Sequence, residues 1–164
     1  MFRPNAIVTT LRPAAEIQEH ALAILATERA RLRPLLAPHE LRLTGGSSVA
    51  TALTKGDVDL HLRVDEVDFP ATVTALRRLY PVVHPHIWTD TLATFSVPAP
   101  LPTGLAVTPI GSEHDIRFVT TWQLLSNDPS LLAEYNAVKQ TAGADYETHK
   151  SAFFDRLVNH AHRP

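Results

Sequence analysis

Two aspartates separated by a single residue, Asp57 and Asp59, follow a Gly45-Gly46-Ser47-Ser48 turn by about ten positions. Each piece has a chemical use. Glycines let the backbone come close to a ligand and take dihedrals that other residues avoid. Serines that open a helix bring hydroxyls, free N–H groups and a positive dipole end to one spot, which suits phosphate oxygens. Carboxylates at i and i+2 of a strand point the same way. Two like charges so close repel, and a divalent cation removes that cost. Two cations about 3.5–4 Å apart would serve both the attacking and the leaving oxygen of a displacement at phosphorus. Asp57 and Asp59 therefore read as magnesium (or manganese) ligands and catalytic groups, with Gly45, Gly46, Ser47, Ser48 and Lys55 around the phosphates.

Other polar residues fall at spacings that would bring them to the same place. His61 and Arg63 continue the alternation and share a strand face with the two aspartates, so they either touch substrate or form a solvated face. Tyr135 and Lys139, and again Tyr146 and Lys150, are four residues apart on helical segments, so each pair shares a face. They either close over a bound nucleotide or dock the C-terminal segment on the rest of the chain. His84 and His86 sit at strand spacing, but no further ligands for zinc are evident nearby.

These residues must be positioned by the elements around them. Residues 13–37 read as a helix opened by Pro13, with an apolar face of Ile17, Ala21, Ile24, Leu25, Leu32, Leu35 and Leu36 interrupted by Glu28. Pro34 would kink its last turn and Pro38 would stop it. A short strand at 41–44 leads into the glycine turn, a short serine-capped helix at 47–54 follows, and Lys55-Gly56 turns again. Residues 57–64 alternate as a strand, with Val58, Leu60, Leu62 and Val64 on the opposite face from Asp57, Asp59, His61 and Arg63. Asp68 and Pro70 open a helix to about Tyr80, and strands are expected at 82–88, 92–97 and 105–110, the last two separated by a proline-rich PAPLP. Helices complete the chain at 113–125, 129–141 and 145–160. The expected fold is α+β: a small mixed β-sheet flanked by helices, spanning 13–110, with a helical C-terminal tail at 111–164 in one domain, residues 1–164.

The bulk properties narrow the field. A chain of 164 residues can bury a sufficient core without disulfides or structural metals. It has no cysteine, which removes thiolate nucleophiles and cysteine-based zinc sites. A net charge of −2 provides no general attraction for nucleic acid or an anionic membrane, so a small acceptor is expected rather than a polymer. The N-terminal residues lack a signal-peptide core, and no apolar run approaches the roughly 20 residues that cross a bilayer. A cytoplasmic protein with no membrane partner is expected.

The turn and the acidic strand together resemble the nucleotidyltransferase superfamily, whose signature is a Gly-Ser turn followed about ten residues later by Asp-x-Asp on a strand. More narrowly, the chain looks like the GrpB-like family of small nucleotidyltransferase-fold proteins. The resemblance is carried by Gly45 to Val49, Lys55, Asp57-Val58-Asp59, Gly111-Ser112, Glu134-Tyr135, Lys139, Tyr146 and Lys150, and runs from about residue 13 to 161. It implies transfer of a nucleoside monophosphate from a nucleoside triphosphate to an acceptor, using magnesium. Three departures stand out. Gly46 replaces the serine usual in the turn, and Thr121-Trp122-Gln123 stands where the family has Phe-Arg-Asp. The strand 104–108, where the superfamily often keeps a third catalytic carboxylate, reads Gly104-Leu105-Ala106-Val107-Thr108. Asp90, Glu113 and Asp115 lie off that strand. These departures leave an alternative open: a catalytically inactive module that binds a nucleotide or cofactor.

Overall fold

A computed structural model describes residues 10–140 and 145–161. In chain order its elements are β1 (Arg12–Pro13), α1 (Gln18–Leu32), β2 (His39–Thr44), β3 (Leu53–Thr54), β4 (Val58–Val64), α2 (Phe69–Leu79), β5 (Ala93–Val97), β6 (Thr103–Pro109), α3 (Glu113–Asn127), α4 (Pro129–Gln140) and α5 (Tyr146–Ala161). Four strands form a mixed sheet in the order β2-β4-β6-β5, with β4 antiparallel to β2 and parallel to β6, and β5 antiparallel to β6. The short strands β1 and β3 pair separately. This is the expected α+β arrangement.

The period-two pattern of β4 sets the layering. Val58, Leu60, Leu62 and Val64 are buried with Leu105, Val107 and Phe95 beneath α1 and α2. Burying a leucine side chain contributes about 1.5–3 kcal/mol. A one-residue slip of β4 would turn all four apolar residues to the opposite face, so the register is strongly held. The opposite face carries Asp59, His61, Arg63, Gly104, Ala106 and Thr94, and α3 runs across part of it. A second apolar cluster, including Val49, Leu125, Tyr135, Phe153 and Leu157, joins the C-terminal helices to the segment after the glycine turn. Among the described residues, no helix is long and apolar enough to cross a membrane.

Several elements differ from the pattern expected from sequence. The N-terminal helix starts with a 3-10 turn at Ala14–Ile17 and its α-helical part closes at Leu32. Arg33 keeps helical dihedrals, but Pro34 has no N–H to continue the ladder, and Leu35 is exposed. Glu28, the polar interruption, is buried; it accepts a hydrogen bond from the Tyr80 hydroxyl and has Arg31 Nε at 3.5 Å. Residues 47–54 form no helix. A 3-10 turn covers Gly46–Ser48, and the backbone beyond it is engaged elsewhere. Ala50 and Ala52 carbonyls accept from Ala15 and Ala14, while the Leu53 N–H donates to Asn136 of α4 at 2.9 Å. Residues 82–88 form no strand either: Pro81 and Pro85 remove donors, Val82 makes one bridge to Phe95, and Pro85–Ile87 is a 3-10 turn. His84 has φ 47°, so it does not alternate with His86 as a strand would require. Thr141, the last residue of the expected 129–141 helix, lies outside the described residues.

Candidate functional site

The end of β2 sets the site. Thr44 is in register with Asp59, and Gly45 then takes φ 65° and ψ −166°, a region essentially reserved for glycine. A Cβ added to Gly45 would lie 2.3 Å from Asp59 Oδ2, so the bare backbone and the carboxylate are in direct apposition. At Gly46 an added Cβ would come within 3.4 Å of the Tyr135 hydroxyl and 3.5 Å of Lys139 Nζ, which brings α4 up to the turn. Asn136 fixes this approach, since its amide also donates to the Thr51 carbonyl at 3.1 Å.

Ser47 and Ser48 shape the turn through hydrogen bonds of their own. The Ser47 hydroxyl donates to the Thr44 carbonyl and accepts from the Asp59 N–H, both at 3.1 Å. Ser48 Oγ donates to the Gly45 carbonyl at 2.7 Å. Both hydroxyls are thus committed to the backbone, and Ser47 ties the turn to the acidic strand. Leaving a buried group unpaired costs about 1–3 kcal/mol. Ser47→Ala is expected to lower stability by about 1–2 kcal/mol on that basis, measured by urea unfolding; an unchanged midpoint would show that this bond does not brace Asp59.

Asp57 immediately precedes β4 and accepts from Thr54 Oγ1 at 3.4 Å. Asp59, one position into the strand, is pushed up from 3.8 to about 6, first by burial and then by Asp57; Lys150, Lys139 and Lys55 oppose the shift. Lys139 is held below its usual value by burial, with Lys150 and Lys55 adding to the effect and the aspartates opposing it. Its ammonium donates to the Tyr135 hydroxyl at 3.0 Å. Burial raises Tyr146 to about 12, helped by Glu147 and the two aspartates, and Tyr135 is raised further still. All these residues line one polar cavity of about 110 Å³ with Gly45, Gly46 and Thr54. The structure therefore brings Asp57, Asp59, Lys55, Tyr135, Lys139, Tyr146 and Lys150 together. It adds Glu147, on the first turn of α5, for which the sequence carries no signal beyond adjacency to Tyr146.

His61 and Arg63 are not part of this cavity. They share the face of Asp59, but α3, capped by Ser112, begins directly after β6 and lays Asp115 over them. Arg63 Nε and Nη2 donate to the two Asp115 oxygens at 2.6 and 2.9 Å, and Nη1 donates to Glu40 at 2.8 Å. Burial works against the charged form of Asp115, but Arg63 and the Gly111 N–H outweigh it and hold its pKa below the usual carboxylate value. His61 is fully buried, 2.8 Å from Thr108 Oγ1 and edge-on to Phe118, and burial lowers its pKa to about 4. The pair anchors α3 to the sheet, and neither residue lines the polar cavity or forms a solvated face.

The strand beside Asp59 is equally specific. Gly104 of β6 stands in register with Asp59, and a Cβ added there would lie 3.7 Å from Asp59 Oδ1. Among the described residues, no group of three or more histidine, cysteine, aspartate or glutamate side chains is placed to hold a metal. Two adjacent carboxylates remain. Magnesium is commonly held by one or two carboxylates together with substrate phosphates and waters, so the pair fits that ion as a substrate-completed site.

GrpB from Enterococcus faecalis superposes on 93% of this chain and 96% of its own, with TM-score 0.69 at 14% identity. The chain has the GrpB fold. The Cid1 poly(U) polymerase, solved with Mg and 3′-dATP bound, shares the fold over 79% of this chain with TM-score 0.56 and 14% identity. A chain of the GLD-2/RNP-8 complex does so over 82%, with TM-score 0.54 and 17% identity. The match spans only 42% and 56% of those two proteins, so the GrpB fold corresponds to one part of them. No family profile matches the sequence. No curated protein resembles it in sequence either. The likeness to all three is one of fold.

Proposed function

We propose that this protein transfers a nucleoside monophosphate from a nucleoside triphosphate to a small acceptor, with magnesium or manganese. The observation that carries the reading is the convergence of a glycine turn, two aspartates, a glutamate and three lysines on one small cavity. Lys55, Lys139 and Lys150 give +3 against −3 from Asp57, Asp59 and Glu147, so the lining is formally neutral. A divalent cation on the aspartate pair makes the cavity positive, which matches a triphosphate. Asp57 and Asp59 would hold the cation, whose chemistry is to neutralise charge on the α-phosphate and the departing pyrophosphate. Gly45 and Gly46 keep the backbone close to the β- and γ-phosphates, with Lys55 beside them. Lys139 and Lys150, presented by α4 and α5, stabilise negative charge from the tail side. The acceptor's O–H or N–H gives its proton to solvent water, its oxygen or nitrogen bonds to the α-phosphorus, and the bond from that phosphorus to the bridging oxygen breaks to release pyrophosphate.

One observation favours a second reading. Gly104 occupies the strand position facing Asp59, so the chain has no third carboxylate there. A module that binds nucleotide without turnover fits that feature. The readings separate in a pyrophosphate-release assay with each nucleoside triphosphate, magnesium or manganese and a panel of small alcohols and amines. The transferase releases pyrophosphate, and both Asp57→Asn and Asp59→Asn lose it. Metal-dependent binding with no release in any combination would establish the module instead.

A further inference from the structure

We propose that the apolar cavity on the other side of Asp59 holds the body of the acceptor, and that this acceptor is a small alcohol or amine bearing an aromatic ring or a branched aliphatic group. The proposal rests on the nucleotidyl-transfer reading of the polar cavity. The second cavity has a volume of about 310 Å³, at the lower end of the roughly 300–1,000 Å³ of small-molecule sites. It lies between the sheet and helices α3 and α5 and meets the polar cavity at Gly45, Asp59, Trp122 and Lys150.

Its position follows from strand order. The glycine turn leaves β2 on one side of β4, while the apolar cavity extends over β6 and β5 on the other. Displacement at phosphorus proceeds with the attacking and leaving oxygens roughly in line. With the pyrophosphate drawn to the glycine turn and the lysines, the nucleophile must arrive from the β6 side, where this cavity opens.

Its lining indicates the class of compound. Gly104 and Ala106 give the floor the smallest side chains available, and the two residues hollow out the space beside Asp59. Phe118, Trp122 and Phe154 supply aromatic walls. Arg117 also borders the space, but its guanidinium is paired with Asp155 at 2.5 Å. Away from the shared border at Gly45 and Lys150, the lining offers apolar and aromatic surface rather than free cations for a chain of phosphates. Thr121 adds one polar handle. It is 2% exposed, and its hydroxyl has no hydrogen-bond partner. A threonine within a helix can satisfy its hydroxyl on the carbonyl four residues earlier, and Thr121 does not. Its hydroxyl is available to a polar atom of a bound ligand.

The experiment is equilibrium binding of 2-phenylethanol, tyramine and 3-methylbutan-1-ol by ligand-observed NMR, alongside calorimetric titration with magnesium and ATP. It uses the full chain, Ala106→Leu, which fills the floor, and Thr121→Val, which removes the hydroxyl at nearly constant shape. The wild-type protein is expected to bind at least one of the three compounds. Both variants should weaken it tenfold or more while changing Mg–ATP affinity less than twofold. Thr121→Val keeps the test valid if leucine at 106 disturbs packing. Failure of the wild-type protein to bind any of the three, or unchanged binding in both variants, overturns the proposal. So does a loss of Mg–ATP affinity in Ala106→Leu with probe binding intact, which would assign the cavity to the nucleoside. Probe binding that both variants lose, in a protein that never binds Mg–ATP, removes the transfer reading and leaves only a ring-binding cavity.

Discussion

Asp59→Asn should raise the melting temperature of the metal-free protein near neutral pH while weakening its metal-dependent binding of nucleoside triphosphate a hundredfold or more. Both effects come from one carboxylate held beside Asp57 in a part-buried site. Its pKa is raised from 3.8 to about 6. A carboxylate with a raised folded-state pKa favours folding at low pH, where it is protonated in both states. That contribution is lost as pH rises from about 4 through 6, where the unfolded chain ionises more readily. Asparagine never ionises, so its advantage is absent below about pH 4 and complete above about pH 6.5. A shift of about two units corresponds to at most about 3 kcal/mol, and partial solvent access reduces this to about 1–2 kcal/mol. In a domain of this size that amounts to several degrees in Tm. Thermal scans at pH 4 and pH 7.5, paired with calorimetric titration of Mg–ATP, measure both effects. A variant less stable than wild type at pH 7.5 would show that the carboxylate is already compensated in the metal-free protein.

The second large effect is expected at Gly45. Alanine there meets two penalties that add. The backbone at φ 65° and ψ −166° strains any residue with a Cβ, at about 1–3 kcal/mol. The new methyl would also sit 2.3 Å from Asp59 Oδ2 and 3.0 Å from its Cγ, so the carboxylate must move out of the site. Gly111→Ala is the natural control. Gly111 also has positive φ, 82°, but nothing lies within 4 Å of an added Cβ. Gly45→Ala should therefore cost at least about 1 kcal/mol more than Gly111→Ala in urea unfolding. It should also lose metal-dependent nucleotide binding, which Gly111→Ala retains. Equal costs with binding intact in both would show that the turn does not hold Asp59 in place.

What the sequence made legible is the part that rests on local rules. The alternation of Val58, Leu60, Leu62 and Val64 placed β4, and the turn spacing placed the glycines and aspartates together. The four-residue spacing of Tyr135 with Lys139 and of Tyr146 with Lys150 brought all four to the same cavity. Three features were not legible, each because a distant segment decides it. Alternation puts His61 and Arg63 on the face of Asp59 but cannot reveal that Asp115, fifty-odd residues away, covers them. The composition of 47–54 permits a helix, but the N-terminal segment and Asn136 take the backbone groups a helix would use. The proline-flanked stretch around His84 looked extended because its β-branched residues favour strands, yet too few N–H donors remain to pair them.

Gly104 lines the apolar cavity beside Asp59, the carboxylate that borders both cavities. A strand that leaves glycine beside Asp59 and alanine two residues on forgoes a third carboxylate at that point. It gains an apolar space against the acidic pair in exchange. The same substitution pattern therefore narrows the chemistry and defines a pocket. Lys150 and Trp122 border both cavities, so movement of α5 or α3 would be felt in each.

On the proposed reading, Asp57 and Asp59 form a cation site completed by a triphosphate. Its most direct test is calorimetric titration of ATP, GTP, CTP and UTP at pH 8, well above the raised pKa of Asp59, with and without magnesium, in the wild-type protein and in Asp57→Asn. At least one nucleotide should bind tenfold or more tightly with magnesium, and Asp57→Asn should remove that enhancement. Binding that ignores magnesium, an enhancement that survives in Asp57→Asn, or no binding of any of the four would contradict it.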